Sequence, residues 1–164
     1  MHYLFITLAI LLRWLPHPWN VTPIGAIGLF SGTWCPPRIA WIFPLIPLAI
    51  GDAITGFYDW RIMVFVYAAF ALSAVWGRLF LAKKRSLLRF GGAIGVNAIM
   101  FYLLTNFPVW LVYYPRDLAG LVECYLKGLP YLRNMLIGDT VFVALIFGTH
   151  HLVQKFAAER RVAA

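Results

Sequence analysis

Six polar side chains stand inside or at the ends of long apolar stretches: Arg13, Asn20, Asp52, Asn106, Arg133 and Asp139. An ionised group deep in hydrocarbon costs about 2.5–3.5 kcal/mol on insertion scales, so such residues pair, snorkel or face a wet cavity. Two guanidinium groups, two carboxylates and two amides offer ion pairing and hydrogen bonding. That chemistry serves either to anchor the polar groups of a ligand or to tie helices together through Arg13 and Arg133 against Asp52 and Asp139. Trp14, Trp19, Phe57 and Trp110 lie near them in sequence. These aromatics fit an interfacial belt at headgroup depth, or the apolar walls of a pocket for a flat organic ligand.

Other chemistry is missing. The chain has no H-E-x-x-H, no G-x-S-x-G, no P-loop and no dinucleotide fingerprint, the local patterns that metalloproteases, serine hydrolases and nucleotide-binding enzymes need. Nothing marks an enzyme, and without an ATP site the chain cannot energise transport itself. His150-His151 resembles a metal pair but has no Cys, Asp or Glu beside it, so the residues ask for neither a metal nor a cofactor. Cys124 beside Glu123 is a lone thiol and reads as inert. Cys35 and Cys124 are expected on opposite sides of the membrane and therefore unpaired.

The elements that position these residues follow from composition. Of 164 residues 62% are hydrophobic and 12% are charged, with a mean hydropathy of +0.79, against about 25% charged in a soluble domain. The fold class expected is all-α, a polytopic membrane helix bundle forming a single integral membrane domain over 1–164. Apolar runs of roughly 20 residues place about six spans at 3–15, 21–35, 38–56, 62–82, 90–112 and 135–154. The first two are the shortest, and Pro23 and Pro36-Pro37 bound the second, so a short or re-entrant helix is consistent there. Pro44 and Pro47 predict a kink in the third. Only His2 precedes the first run, and Arg13-Trp14-Leu15-Pro16 stands where a cleavage site would be, so this run is expected to remain a span rather than a removed signal. Between the last two spans, Leu118, Leu121, Val122, Tyr125, Leu126 and Leu129 recur at helical spacing, which predicts an external amphipathic helix at about 116–129 lying at the interface.

Six spans divide the charge unevenly. Arg38, Arg78, Lys83, Lys84, Arg85, Arg89, Lys155, Arg160 and Arg161 fall on one side with only Glu159, and five bases balance five acids on the other, so the net +8 belongs to one face. The positive-inside rule puts that face and both termini in the cytoplasm, and a charge so placed argues for the lipid bilayer, not nucleic acid, as the partner. Gly28/Gly32 and Gly91/Gly95 stand four apart, a spacing that lets helix backbones approach closely. Gly51 and Gly56 flank Asp52 and allow a bend there.

Arg13-x-x-Pro16, Asn20-x-x-Pro23, Leu29-Phe30-x-Gly32, Asp52-x-x-x-Gly56-Phe57, Thr105-Asn106-Phe107-x-x-Trp110 and Arg133-Asn134-x-x-x-Gly138-Asp139 together resemble an uncharacterised bacterial family of small multi-pass membrane proteins. That family is similar in size, span number and external loops to the S components of energy-coupling factor transporters. The resemblance implies a bacterial inner-membrane protein that captures a vitamin or cofactor precursor beneath its external loops, working with a transmembrane coupling protein and ATPases. It makes Arg13, Asn20, Asp52, Asn106, Arg133 and Asp139 the anchors of a small-molecule ligand, walled by Trp14, Trp19, Phe57 and Trp110. Many S components dock their coupling protein through A-x-x-x-A on the first helix, and Tyr3 to Leu12 offers only Ala9. The competing expectation is a membrane assembly or scaffold protein without transport, in which the polar residues only join helices and the outer half holds no cavity.

Overall fold

The structure, a computed structural model, describes residues 20–162; the expected span at 3–15 lies outside them. Six α-helices and no strand occur among the described residues: α1 (Ile24–Trp34), α2 (Pro37–Ala40), α3 (Ile42–Thr55), α4 (Trp60–Leu81), α5 (Leu87–Tyr113) and α6 (Leu118–Val162). Their order begins with a helix that is apolar or small all round. Such a helix has no face to give to water and must be enclosed, and ten of the eleven residues of α1 are buried. Its rise of about 16 Å is half of the roughly 30 Å hydrocarbon core. The run expected at 21–35 is thus a half-length helix at the centre of the bundle and does not cross. Pro23 stands at its N-cap and Cys35 ends it in an extended conformation ahead of Pro36.

The seam between α1 and α4 shows why α1 is rich in glycine. A Cβ on Gly28 would collide with Ser73, one on Gly32 with the carbonyl of Ala74, and one on Gly77 with the carbonyl of Leu29. Both helices leave out side chains where they meet, and the backbones touch. Gly91 and Gly95 share the same spacing, yet a Cβ at either would meet no described atom within 4 Å, so that pair mediates no close packing among the described helices.

The expected kink in 38–56 takes the form of a break at Trp41, between α2 and α3. Pro44 has no N–H to give the carbonyl of Ala40, and the Ser31 hydroxyl donates to that carbonyl instead, at 2.8 Å. A buried acceptor is thereby satisfied. Gly56 ends α3 with φ +102°, a backbone that an L side chain rarely adopts.

α5 and α6 form an antiparallel pair. The amphipathic segment expected as a separate interfacial helix is continuous with the last span, giving one helix of 45 residues, about 67 Å long. Its leucine face does not pack: Leu118, Val122, Leu126 and Leu129 are exposed, and the buried stripe is Gly120, Cys124 and Gly128. Small residues at a spacing of four let this part of α6 sit against α5, where Tyr102 donates to the carbonyl of Tyr125 at 2.6 Å and Tyr125 to that of Leu103 at 2.8 Å. Pro130 removes one helix donor without ending the helix.

Four segments are long and apolar enough to cross a membrane: Pro37–Thr55, Trp60–Leu81, Leu87–Tyr113 and Leu118–Arg160. Their outward faces carry exposed Ile46, Ile50, Val64, Leu79, Ile99 and Leu145, a surface that calls for lipid. The ends of the bundle differ in charge. Arg85 lies 3.9 Å over the ring of Trp34, His150 packs 4.5 Å from the same ring, and Arg89 donates to the carbonyl of Phe80. The basic loop 83–89, the end of α1 and the last turns of α6 thus meet at one end. Asp52, Asp59, Asp117 and Glu123 stand toward the other.

Candidate functional site

Because α1 stops half-way, the space beyond its N-terminus is left to other side chains. The described side chains do not fill it. A cleft of about 730 Å³ lies there, lined from α1, α3, α4, α5 and α6, well within the size of small-molecule sites. Its apolar walls include Ile24, Leu48, Phe70, Phe101 and Met135, with the rings of Phe70 and Phe101 at 4.6 Å. Its polar groups come from five segments: Asn20 and Thr22 ahead of α1, Asp52 and Thr55 at the end of α3, Tyr58 after it, Thr105 and Asn106 on α5, and Tyr131 and Asp139 on α6.

Asp139 is buried, only 2% exposed. The Asn97 side-chain amide donates to its Oδ2 at 2.8 Å, and its carboxylate crowds the Cβ direction of Gly25. Glycine at 25 is therefore what lets the carboxylate lie against the first turn of α1, where unsatisfied amide N–H groups and the helix dipole favour a negative charge. Asn97 sits ten residues into the 27-residue α5, so the floor of the cleft is near mid-membrane depth. Asp52 is 1% exposed on α3. Its backbone carbonyl accepts from Gly56 N–H at 3.0 Å, so the glycine turn and the carboxylate are built as one unit.

On α5, Asn106 donates its amide to the carbonyl of Tyr102 at 2.8 Å. Gly128 of α6 has no side chain where a Cβ would strike Asn106, and the Cys124 thiol points to the Asn106 carbonyl at 3.5 Å. Asn106 is thus fixed from behind by the small-residue stripe of α6 while it lines the cleft. The hydroxyls of Thr55 and Thr105 donate back to the carbonyls of Gly51 and Phe101, each at 2.9 Å, which leaves oxygen lone pairs for a ligand donor.

Four of the residues singled out in the sequence, Asn20, Asp52, Asn106 and Asp139, line this one cleft. Arg13, Trp14 and Trp19 lie outside the described residues. Arg133, Phe57 and Trp110 do not line it. Arg133 is exposed on α6, and the described partner of Asp139 is Asn97. Phe57 is 68% exposed past the glycine turn. Trp110 turns its indole N–H to the carbonyl of Pro115 at 2.8 Å, holding the α5–α6 loop. At the same end of the molecule Arg61 grips Asp59 with Nε and Nη2 at 3.1 and 2.9 Å, and that hydrogen bonding holds the Asp59 carboxyl below the usual carboxylate range.

Sequence reasoning missed Asn97, Thr22 and Thr105. For Asn97 a signal existed: it is the one amide in the run Ala93 to Leu104, and an amide there needs a partner. Among the described residues no group of three or more His, Cys, Asp or Glu could hold a metal, and Cys35 and Cys124 are both free and buried. The arrangement offers carboxylates, amides and hydroxyls around an apolar floor.

No curated protein matches the chain. No solved structure matches it either. A family model covers residues 1–161, nearly every position just described. The chain belongs to that family of unknown function, DUF6580.

Proposed function

We propose that this protein is a membrane-embedded binding protein for a small organic molecule, of the S-component type, serving uptake of a vitamin-like or cofactor-precursor compound. The observation that carries the reading is the cleft at the mixed-charge end, where buried Asp52 and Asp139 share an apolar space of about 730 Å³ with Asn20 and Asn106. A protein in which polar residues only join helices would close that space, because a cavity there forfeits packing. In this reading the segment 3–15 adds one span to the four described ones, the basic end faces the cytoplasm by the positive-inside rule, and the cleft opens to the outside of a bacterial inner membrane. Ligand anchoring falls to Asn20, Asp52, Asn106 and Asp139, with Phe70 and Phe101 beneath a flat ring system. A transmembrane coupling protein and ATPases would supply the energy the chain lacks.

The test is thermal unfolding of the purified protein in detergent against a panel of flavins, thiamin, biotin, corrinoids and their precursors. One class is expected to raise the unfolding temperature, with saturation, and Asn106→Ala and Asp139→Asn are expected to abolish the rise. If no member stabilises the protein, the uptake reading fails.

A further inference from the structure

A second cavity lies at the opposite, basic end, on the outside of the α5–α6 pair. It measures about 780 Å³ and runs along α6 from Leu136 to Gln154, about 27 Å of helix. One leaflet of hydrocarbon is about 15 Å deep, so this groove is long enough for an acyl chain and the headgroup above it. Its floor is apolar: Phe90, Ile94, Val143 and Phe147 line it with Gly91, Gly95 and Gly148. A Cβ at any of those three glycines would meet no described atom within 4 Å, so the space over them is open and is not a seam between described helices.

The mouth of the groove is polar and cationic. Arg85, His150, His151 and Gln154 rim it with Trp34. The Arg85 guanidinium carbon lies 3.9 Å from the centre of the Trp34 ring, with Nε donating to the carbonyl of Leu81 at 3.2 Å. This leaves both Nη groups to grip two oxygens of a phosphate. Lys83 and Lys84 precede it in the same loop, and Trp34 Nε1, although buried, has no hydrogen-bond acceptor.

We propose that this groove is a binding site for an anionic phospholipid, one acyl chain lying over Gly91, Gly95 and Gly148 and the phosphodiester held by Arg85 at the Trp34–His150 rim. Charge complementarity selects this occupant. A second copy of the chain related by a two-fold axis along the membrane normal would bring a second Lys83-Lys84-Arg85 cluster against the first, and like charges repel.

The experiment is native mass spectrometry of the delipidated protein in detergent, titrated with phosphatidylglycerol or with phosphatidylcholine of the same chains. One lipid is expected to be retained per chain, with phosphatidylglycerol bound about tenfold more tightly, the size of one or two basic side chains against an anionic headgroup. Arg85→Gln should erase the preference while chain-dependent binding stays, and Arg85→Lys should keep much of it. Gly95→Leu, which fills open space, should lose both lipids without lowering the unfolding temperature in lipid-free detergent. Equal binding of the two lipids overturns the proposal, as does a preference that survives Arg85→Gln. A discrete dimer that Gly95→Leu dissociates would overturn it in favour of a second copy.

Discussion

Gly28 and Gly32 on α1 and Gly91 and Gly95 on α5 are the same motif with opposite consequences. The first pair is pressed against Ser73 and Ala74 of α4; the second faces a groove with no described atom within 4 Å of an added Cβ. Spacing tells which residues share a face. What stands opposite decides whether that face is a seam or a vacancy, and opposite Gly28 and Gly32 the partner helix keeps its own side chains small or absent, at Ser73, Ala74 and Gly77. The α1–α4 seam is where the fold is held, and the α5–α6 face is where something else has room to bind.

Substitutions turn this contrast into measurable differences. The largest effect is expected for Gly32→Ala, whose methyl would meet the backbone of Ala74 rather than a movable side chain: a loss of about 3 kcal/mol, the upper part of the usual overpacking range, read by denaturant unfolding in detergent micelles. A loss under half of that would mean that α1 and α4 can slide apart and that the seam is softer than its geometry. Next comes Asn97→Ala, which removes the donor to the buried Asp139 and should cost about 2 kcal/mol. If it costs nothing, the carboxylate is held by other groups and the cleft floor does not depend on α5. Gly95→Ala is the counterpart of the first change: it should be neutral or should raise stability by up to about 1 kcal/mol, the helix propensity gained, and a marked loss would show that the α5 face is packed after all. The smallest effect belongs to the start of α4, where Asp59 accepts from Arg61 N–H at 2.9 Å. Its carboxyl lies below the ordinary range in the folded chain. Its contribution is therefore complete above the unfolded carboxylate range and disappears as pH falls through the lower folded value. A slight drop in unfolding temperature in acid, absent in Asp59→Asn, would confirm it.

Helices were legible wherever the apolar run was long. The expected spans 62–82 and 90–112 correspond to α4 and α5 within three residues at each end, because lipid demands length and leaves few alternatives. For the second run the sequence left a short or re-entrant helix open beside a full span, because hydropathy reports apolarity, and a helix enclosed by protein is as apolar as one facing lipid. The segment 116–129 shows a related ambiguity: its leucines sit at amphipathic spacing, yet the packing surface is Gly120, Cys124 and Gly128, which hydropathy hardly registers. At the site, Asp52, Asn106 and Asp139 stood out because polar groups in apolar runs are costly. Their convergence on one cleft did not, since it depends on where α1 stops. Phe57 and Trp110 were drawn in by aromatic character alone, and one is exposed while the other fastens a loop.

The shortness of α1 reaches beyond packing, to the electric field. In a membrane the potential falls across the hydrocarbon, about 2.3 kcal/mol for a unit charge over 100 mV. Asp139 stands over the first turn of α1, about half-way down the bundle. A charged ligand that reaches it has therefore moved through roughly half of that drop, about 1 kcal/mol per charge per 100 mV, so occupancy of the cleft by an ion responds to membrane voltage, whereas occupancy by a neutral molecule does not.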